Sequence, residues 1–170
     1  METVKINVKV DFMRFLNLRY QLFYRHPVGI LINLCALILI GLSMLYFTGN
    51  YRYSVTGISL GELFAGIFFL AFYPVQIYYT TKKSFHNKAR FTEQIQFEFS
   101  QTEMKISGES FKSEMTLGKL QKIRELKDWI LIYPNAVSAY FIPKENIMPD
   151  QLNCLRVWFS GLKSVKVKML

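Results

Sequence analysis

The chain has 170 residues, a net charge of +9 and two cysteines, Cys35 and Cys154. That is room for one modest folded domain plus a membrane segment, and two cysteines so far apart make neither a disulfide framework nor a metal knuckle, so both are expected as small apolar packing residues. The placement of the charge argues against a nucleic-acid-binding surface: five cations precede His26, four follow at Lys82, Lys83, Lys88 and Arg90, and the part from Phe91 onward is nearly balanced, with eleven basic and nine acidic residues.

Residues 4–10 alternate Val4, Ile6, Val8 and Val10 with polar residues, which predicts a strand with one buried face. A lone strand is unstable and must join a sheet elsewhere, for which the C-terminal part is the only candidate. Asp11 stands as an N-cap ahead of FMRFLNLRYQLFYR. On a helical projection Arg14, Asn17, Gln21, Tyr24 and Arg25 share one face. Phe12, Met13, Phe15, Leu16, Leu18, Leu22 and Phe23 cover the other, as suits a helix at a bilayer interface or beneath a folded domain. Arg19 projects from the apolar face, so it needs a carboxylate or a lipid phosphate, or it snorkels to the interface.

Residues 28–47 are twenty in number and carry no charge. At about 1.5 Å per residue they reach about 30 Å, the thickness of a hydrocarbon core. Pro27 fits a first-turn position. A second span covers residues 63–79, extendable to 81; Pro74 inside it removes a backbone bond and is expected to kink the helix. Tyr46, Phe47, Tyr51 and Tyr53 mark one border, and Tyr20, Tyr24, Tyr78 and Tyr79 the other. The connecting residues 48–62 hold a single cation, Arg52, so the positive-inside rule places the loop outside and both flanks in the cytoplasm. Asn33, Cys35, Ser43 and Gln76 are the polar residues within the spans; none is ionisable, which argues against a pump. Gly41, Ala65 and Gly66 would allow close helix contact.

From Phe91 the pattern is all-β. Ile95, Phe97 and Phe99 alternate with polar residues, Met104 and Ile106 do the same, and Phe111, Met115 and Leu117 follow after a turn at Ser107, Gly108 and Glu109. Residues 120–126 fit either a helical turn or a strand. Residues 129–133, WILIY, form a strand apolar on both faces, Pro134 and Asn135 a turn, and residues 137–142 its hairpin partner. An amphipathic helix over residues 149–162 closes the domain. The tail KSVKVKML is an extra edge strand, a lysine-rich tail near anionic lipid, or simply solvated. The sum is an α+β membrane protein: a two-helix transmembrane hairpin, and a pleckstrin-homology-like antiparallel β barrel or sheet capped by a C-terminal helix. Its expected segments are residues 1–26, 27–81 and 82–170.

In QFEFSQTEMKISGE, in the segment over residues 117–126, in WILIYPNAVSAYFIPKE and in the closing helix, the chain resembles the YcxB-like family of bacterial membrane proteins, over nearly its whole length. The run Ile142, Pro143, Lys144 is the most specific piece. Leu117 and Gly118 stand where that family has a tryptophan, and Met148 where it has a serine-type cap. The resemblance implies architecture and a plasma (inner) membrane location, and carries over no catalytic residue.

No nucleophile elbow, zincin, phosphate-binding loop or dinucleotide fingerprint occurs in the sequence, and His26 and His86 alone make a poor metal site, so no cofactor is expected. The expected function is non-enzymatic: a membrane-tethered cytoplasmic module that binds a protein partner or lipid headgroups. Arg14, Arg19, Arg25, Lys82, Lys83, Lys88 and Arg90 are its candidate contacts with the membrane interface and anionic lipid. The alternative is a membrane immunity or accessory protein, whose hairpin acts on another membrane protein.

Overall fold

The computed structural model describes residues 3–49, 58–87, 93–136 and 138–169. In chain order these form β1 (Val4–Val8), α1 (Phe12–Tyr24), α2 (Pro27–Phe47), α3 (Ile58–Asn87), β2 (Ile95–Phe99), β3 (Glu103–Ser107), β4 (Lys112–Thr116), β5 (Lys122–Glu125), β6 (Trp129–Tyr133), β7 (Tyr140–Pro143), α4 (Pro149–Ser160) and β8 (Lys166–Lys168). Short 3-10 turns lie at Leu117–Lys119 and Lys144–Asn146. The chain divides into a β unit, Met1–Val10 with Lys88–Leu170, and a helical unit, Asp11–Asn87. The N-terminal strand and the helix after it therefore fall in different units.

The β unit holds two four-stranded sheets, ordered β1-β2-β3-β4 and β7-β6-β5-β8. Of the barrel or sheet that the sequence suggests, they form sheets and not a closed barrel. The 3-10 turn at Leu117–Lys119, anchored by fully buried Leu117, redirects the chain between β4 and β5, and those strands do not pair. The second sheet is also mixed: β8 lies parallel to β5, with Lys122 beside Lys166, Ile123 beside Val167 and Arg124 beside Lys168. The tail is thus an edge strand. The ambiguous segment over residues 120–126 resolves into β5. Of the segment expected to pair with β6, Tyr140–Pro143 does so, while Val137 lies outside the described residues.

β1 joins β2 antiparallel, placing Val4 opposite Phe99, Ile6 opposite Phe97 and Val8 opposite Ile95. Its three apolar side chains are buried, as the period-two pattern requires. The other edge of β1 is covered by side chains: Gln151 Nε2 donates to the Lys5 carbonyl at 3.4 Å and Asn146 Nδ2 to the Asn7 carbonyl at 3.1 Å. Capping outward carbonyls in this way keeps a further strand from adding there. Gln151 Oε1 also accepts the Met148 N–H at 3.2 Å, so Gln151 supplies the start of α4 with the cap that Met148 lacks. Between the two sheets Phe97 meets Tyr140 edge-on at 6.1 Å, and Phe99 meets Phe159 of α4 edge-on at 5.8 Å.

In the helical unit, Asp11 caps α1 by accepting the Arg14 N–H at 3.2 Å. α1 runs antiparallel along the second half of α3: Phe12 lies edge-on to Phe85 at 5.4 Å, Tyr20 donates its hydroxyl to the Pro74 carbonyl at 3.0 Å, and Phe23 stacks on Tyr73 at 5.4 Å. Phe15, Leu16 and Leu18 are buried as the projection demands, whereas Met13 is exposed. α3 is longer than the predicted second span because hydropathy reads the apolar stretch and not the helix; Lys82 and Lys83 continue the helix without difficulty. It runs through Pro74 as one helix.

Two glycines set how closely the helices approach. A Cβ on Gly66 would stand 2.7 Å from Ile40 Cγ1 and 2.9 Å from the Ala36 carbonyl oxygen. A Cβ on Gly29 would stand 2.1 Å from the Phe23 carbonyl oxygen. Gly41, by contrast, has open space around it and plays no part in the contact. Cys35 is exposed on α2 and does not pack inside, contrary to expectation; Cys154 is half-buried. Gly29, Ala36 and Ser43 are the small residues that α2 buries, and Cys35 falls with Gly41 on its outer side.

These contacts predict opposite outcomes for one substitution at two sites. Gly41→Ala should stabilise the helical unit by some tenths of a kcal/mol up to about 1, through helix propensity. Gly66→Ala should destabilise it by about 1–3 kcal/mol, through overpacking against Ile40 and Ala36. Thermal unfolding followed by far-ultraviolet circular dichroism in detergent reads both. In the β unit, Ile6→Ala should cost about 2–4 kcal/mol by opening a cavity beside Phe97, read by tryptophan fluorescence during urea unfolding.

Candidate functional site

The outer surface of the helical unit is apolar. Two of its helices are long and apolar enough to cross a membrane, Pro27–Phe47 and Leu60–His86, and only 17% and 6% of their most apolar windows are buried. Leu31, Leu34, Leu37 and Ile38 stand out from α2, and Phe64, Phe68, Phe72 and Val75 from α3, each more than two-fifths exposed. A core helix of a water-soluble fold buries such residues. Polar side chains within these helices turn back on their own backbone: Asn33 Nδ2 donates to the Gly29 carbonyl at 2.7 Å, and Ser43 Oγ to the Leu39 carbonyl at 3.0 Å. That arrangement leaves little polar surface for water or for an apolar solvent to meet.

One end of this surface carries the cations singled out in the sequence. Arg14, Arg19 and Arg25 are exposed on α1 and its C-terminus, and Lys82 and Lys83 are exposed on α3. Because α1 runs antiparallel to α3 from Phe85 down to Tyr73, Arg14 falls level with Lys82 and Lys83. Arg19 and Arg25 come one to three turns lower, with Arg25 next to the start of α2. Arg19 has no ion-pair partner among the described residues and is exposed, which fits an outward-reaching side chain. Lys88 and Arg90 lie outside the described residues, as do Tyr51, Arg52 and Tyr53. His26 caps α2, its Nδ1 accepting the Val28 N–H at 3.3 Å, and His86 lies edge-on to Phe85. Among the described residues no group of three histidines, cysteines or carboxylates is placed to hold a metal.

The β unit holds two charged features that the reading of the sequence missed. One is inside. Glu125 has no exposed side-chain surface, and two cations reach it: Lys144 Nζ at 2.6 Å from Oε1, and Arg156, whose Nε lies 3.2 Å from Oε2 while its terminal nitrogen takes Oε1 at 2.5 Å. The hydrogen bond to Glu125 holds the Arg156 guanidinium above its already high pKa. The cluster ties β5 to α4 and to the turn after β7. A signal was present: Ile123 and Glu125 are two apart on one strand, so burying the first buries the second. The other feature is on the surface. Lys122 and Arg124 of β5 stand beside Lys166 and Lys168 of β8 on the sheet face opposite Ile123. Lys122 Nζ lies 5.9 Å from the centre of the Tyr133 ring. Burial raises the pKa of the Tyr133 hydroxyl and the nearby Arg124 charge works against that rise.

No family model, curated protein or solved structure matches the chain.

Glu125→Gln should lower the stability of the β unit by about 2–3 kcal/mol, since it leaves two cations facing each other without a counter-charge. The partial exposure of Arg156 keeps the loss below that of a fully buried pair. Urea unfolding monitored by tryptophan fluorescence measures it, and Lys144→Met, which leaves the bidentate Arg156 pair in place, should cost less.

Proposed function

We propose that this chain is a YcxB-like integral membrane protein. Its α2–α3 hairpin spans the inner membrane with both termini in the cytoplasm, and its β unit is a pleckstrin-homology-like, non-enzymatic module that binds a partner or lipid at the membrane surface. The observation that carries the reading is the sheath of exposed leucine, isoleucine and phenylalanine on α2 and α3, which water would penalise by roughly 25 cal/mol for each Å² of apolar area. The asymmetry of charge supports the orientation: Arg14, Arg25, Lys82 and Lys83 gather at one end of the hairpin, and the positive-inside rule sets that end in the cytoplasm. Two sheets followed by a C-terminal helix packed through Phe159 support the pleckstrin-homology-like reading.

The charged groups of the module suit binding. A second reading draws on the stripe formed by Phe64, Phe68 and Phe72, in which Phe68 and Phe72 stack at 5.1 Å: such a stripe also suits a helix of another membrane protein, as an immunity or accessory role requires.

The anchoring is tested in cells. Alkaline carbonate should leave the chain in the membrane fraction. In a background without Cys35 and Cys154, Thr48→Cys should react with an impermeant maleimide from outside, and Lys83→Cys only after permeabilisation. Release by carbonate, or the reverse labelling pattern, would refute the proposed topology. Replacing the hairpin by an unrelated two-span segment separates the two readings: activity is retained if the β unit acts and lost if the spans do.

A further inference from the structure

We infer that the β5–β8 edge of the second sheet is an anion-binding ledge for the phosphate-bearing headgroups of an anionic membrane surface. The inference deepens the membrane-surface reading above and rests on it. Lys166 and Lys168 come from the extreme C-terminal tail, and Lys122 and Arg124 from a strand some forty residues earlier. The parallel pairing of β8 with β5 sets them directly side by side, Lys122 next to Lys166 and Arg124 next to Lys168.

Like charges placed opposite each other on adjacent strands destabilise a sheet. Among the described residues no carboxylate forms an ion pair that offsets that cost. The neighbouring positions on the same face are Leu131 and Tyr133 of β6, and the nearest acid along β5, Glu125, points to the other face and is held by Lys144 and Arg156. None of the four cations has an ion-pair partner among the described residues. Lysines on an edge strand do serve to prevent a further strand from adding. That role accounts for Lys166 and Lys168 but not for Lys122 and Arg124, which occupy an interior strand.

The remaining groups suit a lipid surface. Tyr133 borders the cluster, with its ring near Lys122 and its hydroxyl half-buried, and such an amphipathic ring prefers the headgroup level. Met169 follows at the end of the described tail as an apolar residue next to the cations. Four cations paired across two short strands match an array of single phosphates better than the continuous groove a nucleic-acid strand requires. Four of the eleven basic residues in the part from Phe91 onward gather on this one edge, which is how a part with nearly balanced charge acquires a strongly basic patch.

The test uses the full chain in nanodiscs of phosphatidylcholine alone, or with about a third phosphatidylglycerol to give a negative surface. A dye on Ser164→Cys, in a Cys35→Ser, Cys154→Ser background, reports approach to a quencher lipid in the same disc. Sedimentation reports capture by added vesicles of either composition. The expected result is association by either route that requires phosphatidylglycerol and fades as salt is raised. Neutralising Lys122, Arg124, Lys166 and Lys168 to glutamine should weaken it about fivefold per residue. Replacing the three lysines by arginine should preserve it, and Lys105→Gln with Lys112→Gln on the first sheet should leave it unchanged.

Association by neither route, equal association with both lipids, or a four-glutamine variant that binds like the wild type overturns the ledge. So does a single-stranded RNA oligonucleotide that displaces the phosphatidylglycerol vesicles at matched phosphate concentration, since the ligand is then nucleic acid. Lys166 and Lys168 are exposed and Lys122 and Arg124 half-buried, and tryptophan fluorescence during urea unfolding verifies that the variants fold. Should the chain prove not to insert into discs, the anchoring reading fails separately, and the same sedimentation with the chain in solution still decides the ledge.

Discussion

The pairing of β1 with β2 is the constraint on which the rest of this molecule depends. Val4 lies opposite Phe99, so a ladder of backbone hydrogen bonds closes over all the intervening helices. The chain leaves the β unit after Val10 and returns to it after Asn87. Whatever the inserted helices do, they must bring the chain back to the side from which it departed. Two antiparallel long helices satisfy that; one or three would not. The closure of the sheet and the even number of long apolar helices are therefore one requirement seen from two ends. Gln151 and Asn146 reinforce it by taking the outward carbonyls of β1, which makes the N-terminal strand part of the fold and not an appendage.

Charge is used differently in the two units. In the helical unit it is excluded from the long apolar surfaces, and side-chain polar groups such as Asn33 and Ser43 bond to their own helix. That economy suits an environment that offers no hydrogen bonds. In the β unit one carboxylate, Glu125, is fully enclosed and answered by two cations from different elements. Such a cluster adds little net stability compared with an apolar core, but removing one member is costly, so it makes the docking of α4 sensitive to correct assembly. The cations on β5 and β8 follow neither rule, since they repel one another and have no ion-pair partner among the described residues. That contrast within one small unit is the reason for assigning them to an external anion.

Apart from residues 120–126 and the tail, the order of elements and their types were legible in the sequence because local periodicity carries that information. The alternation at Val4, Ile6 and Val8, the uncharged run after Pro27, the Asp11 cap and the amphipathic helix after Pro149 each depend on residues close together in the chain. So did the expectation that β1 must find its partner in the C-terminal part, since half-buried strands do not stand alone. The extent of α3 and the exposure of Cys35 were not legible, because hydropathy measures how apolar a segment is and not where a helix ends or which face it packs.

Tertiary structure alone decided the rest. Whether the strands closed into one barrel or split into two sheets depended on the direction in which Leu117–Lys119 turned the chain, and a three-residue turn carries too little sequence signal to state it. The inward place of Glu125 followed only once residues 120–126 were a strand set against its neighbours. Lys166 and Lys168 belonged to a tail that fitted an edge strand, a segment near anionic lipid or a solvated end until parallel pairing placed them beside Lys122 and Arg124. By itself the sequence determined the local elements, the long apolar helices and the cations that border them. Which distant residues share a face is a property of register between strands. Register is set by the mutual burial of side chains such as Ile123 and Ile132, which come together only when the chain is folded.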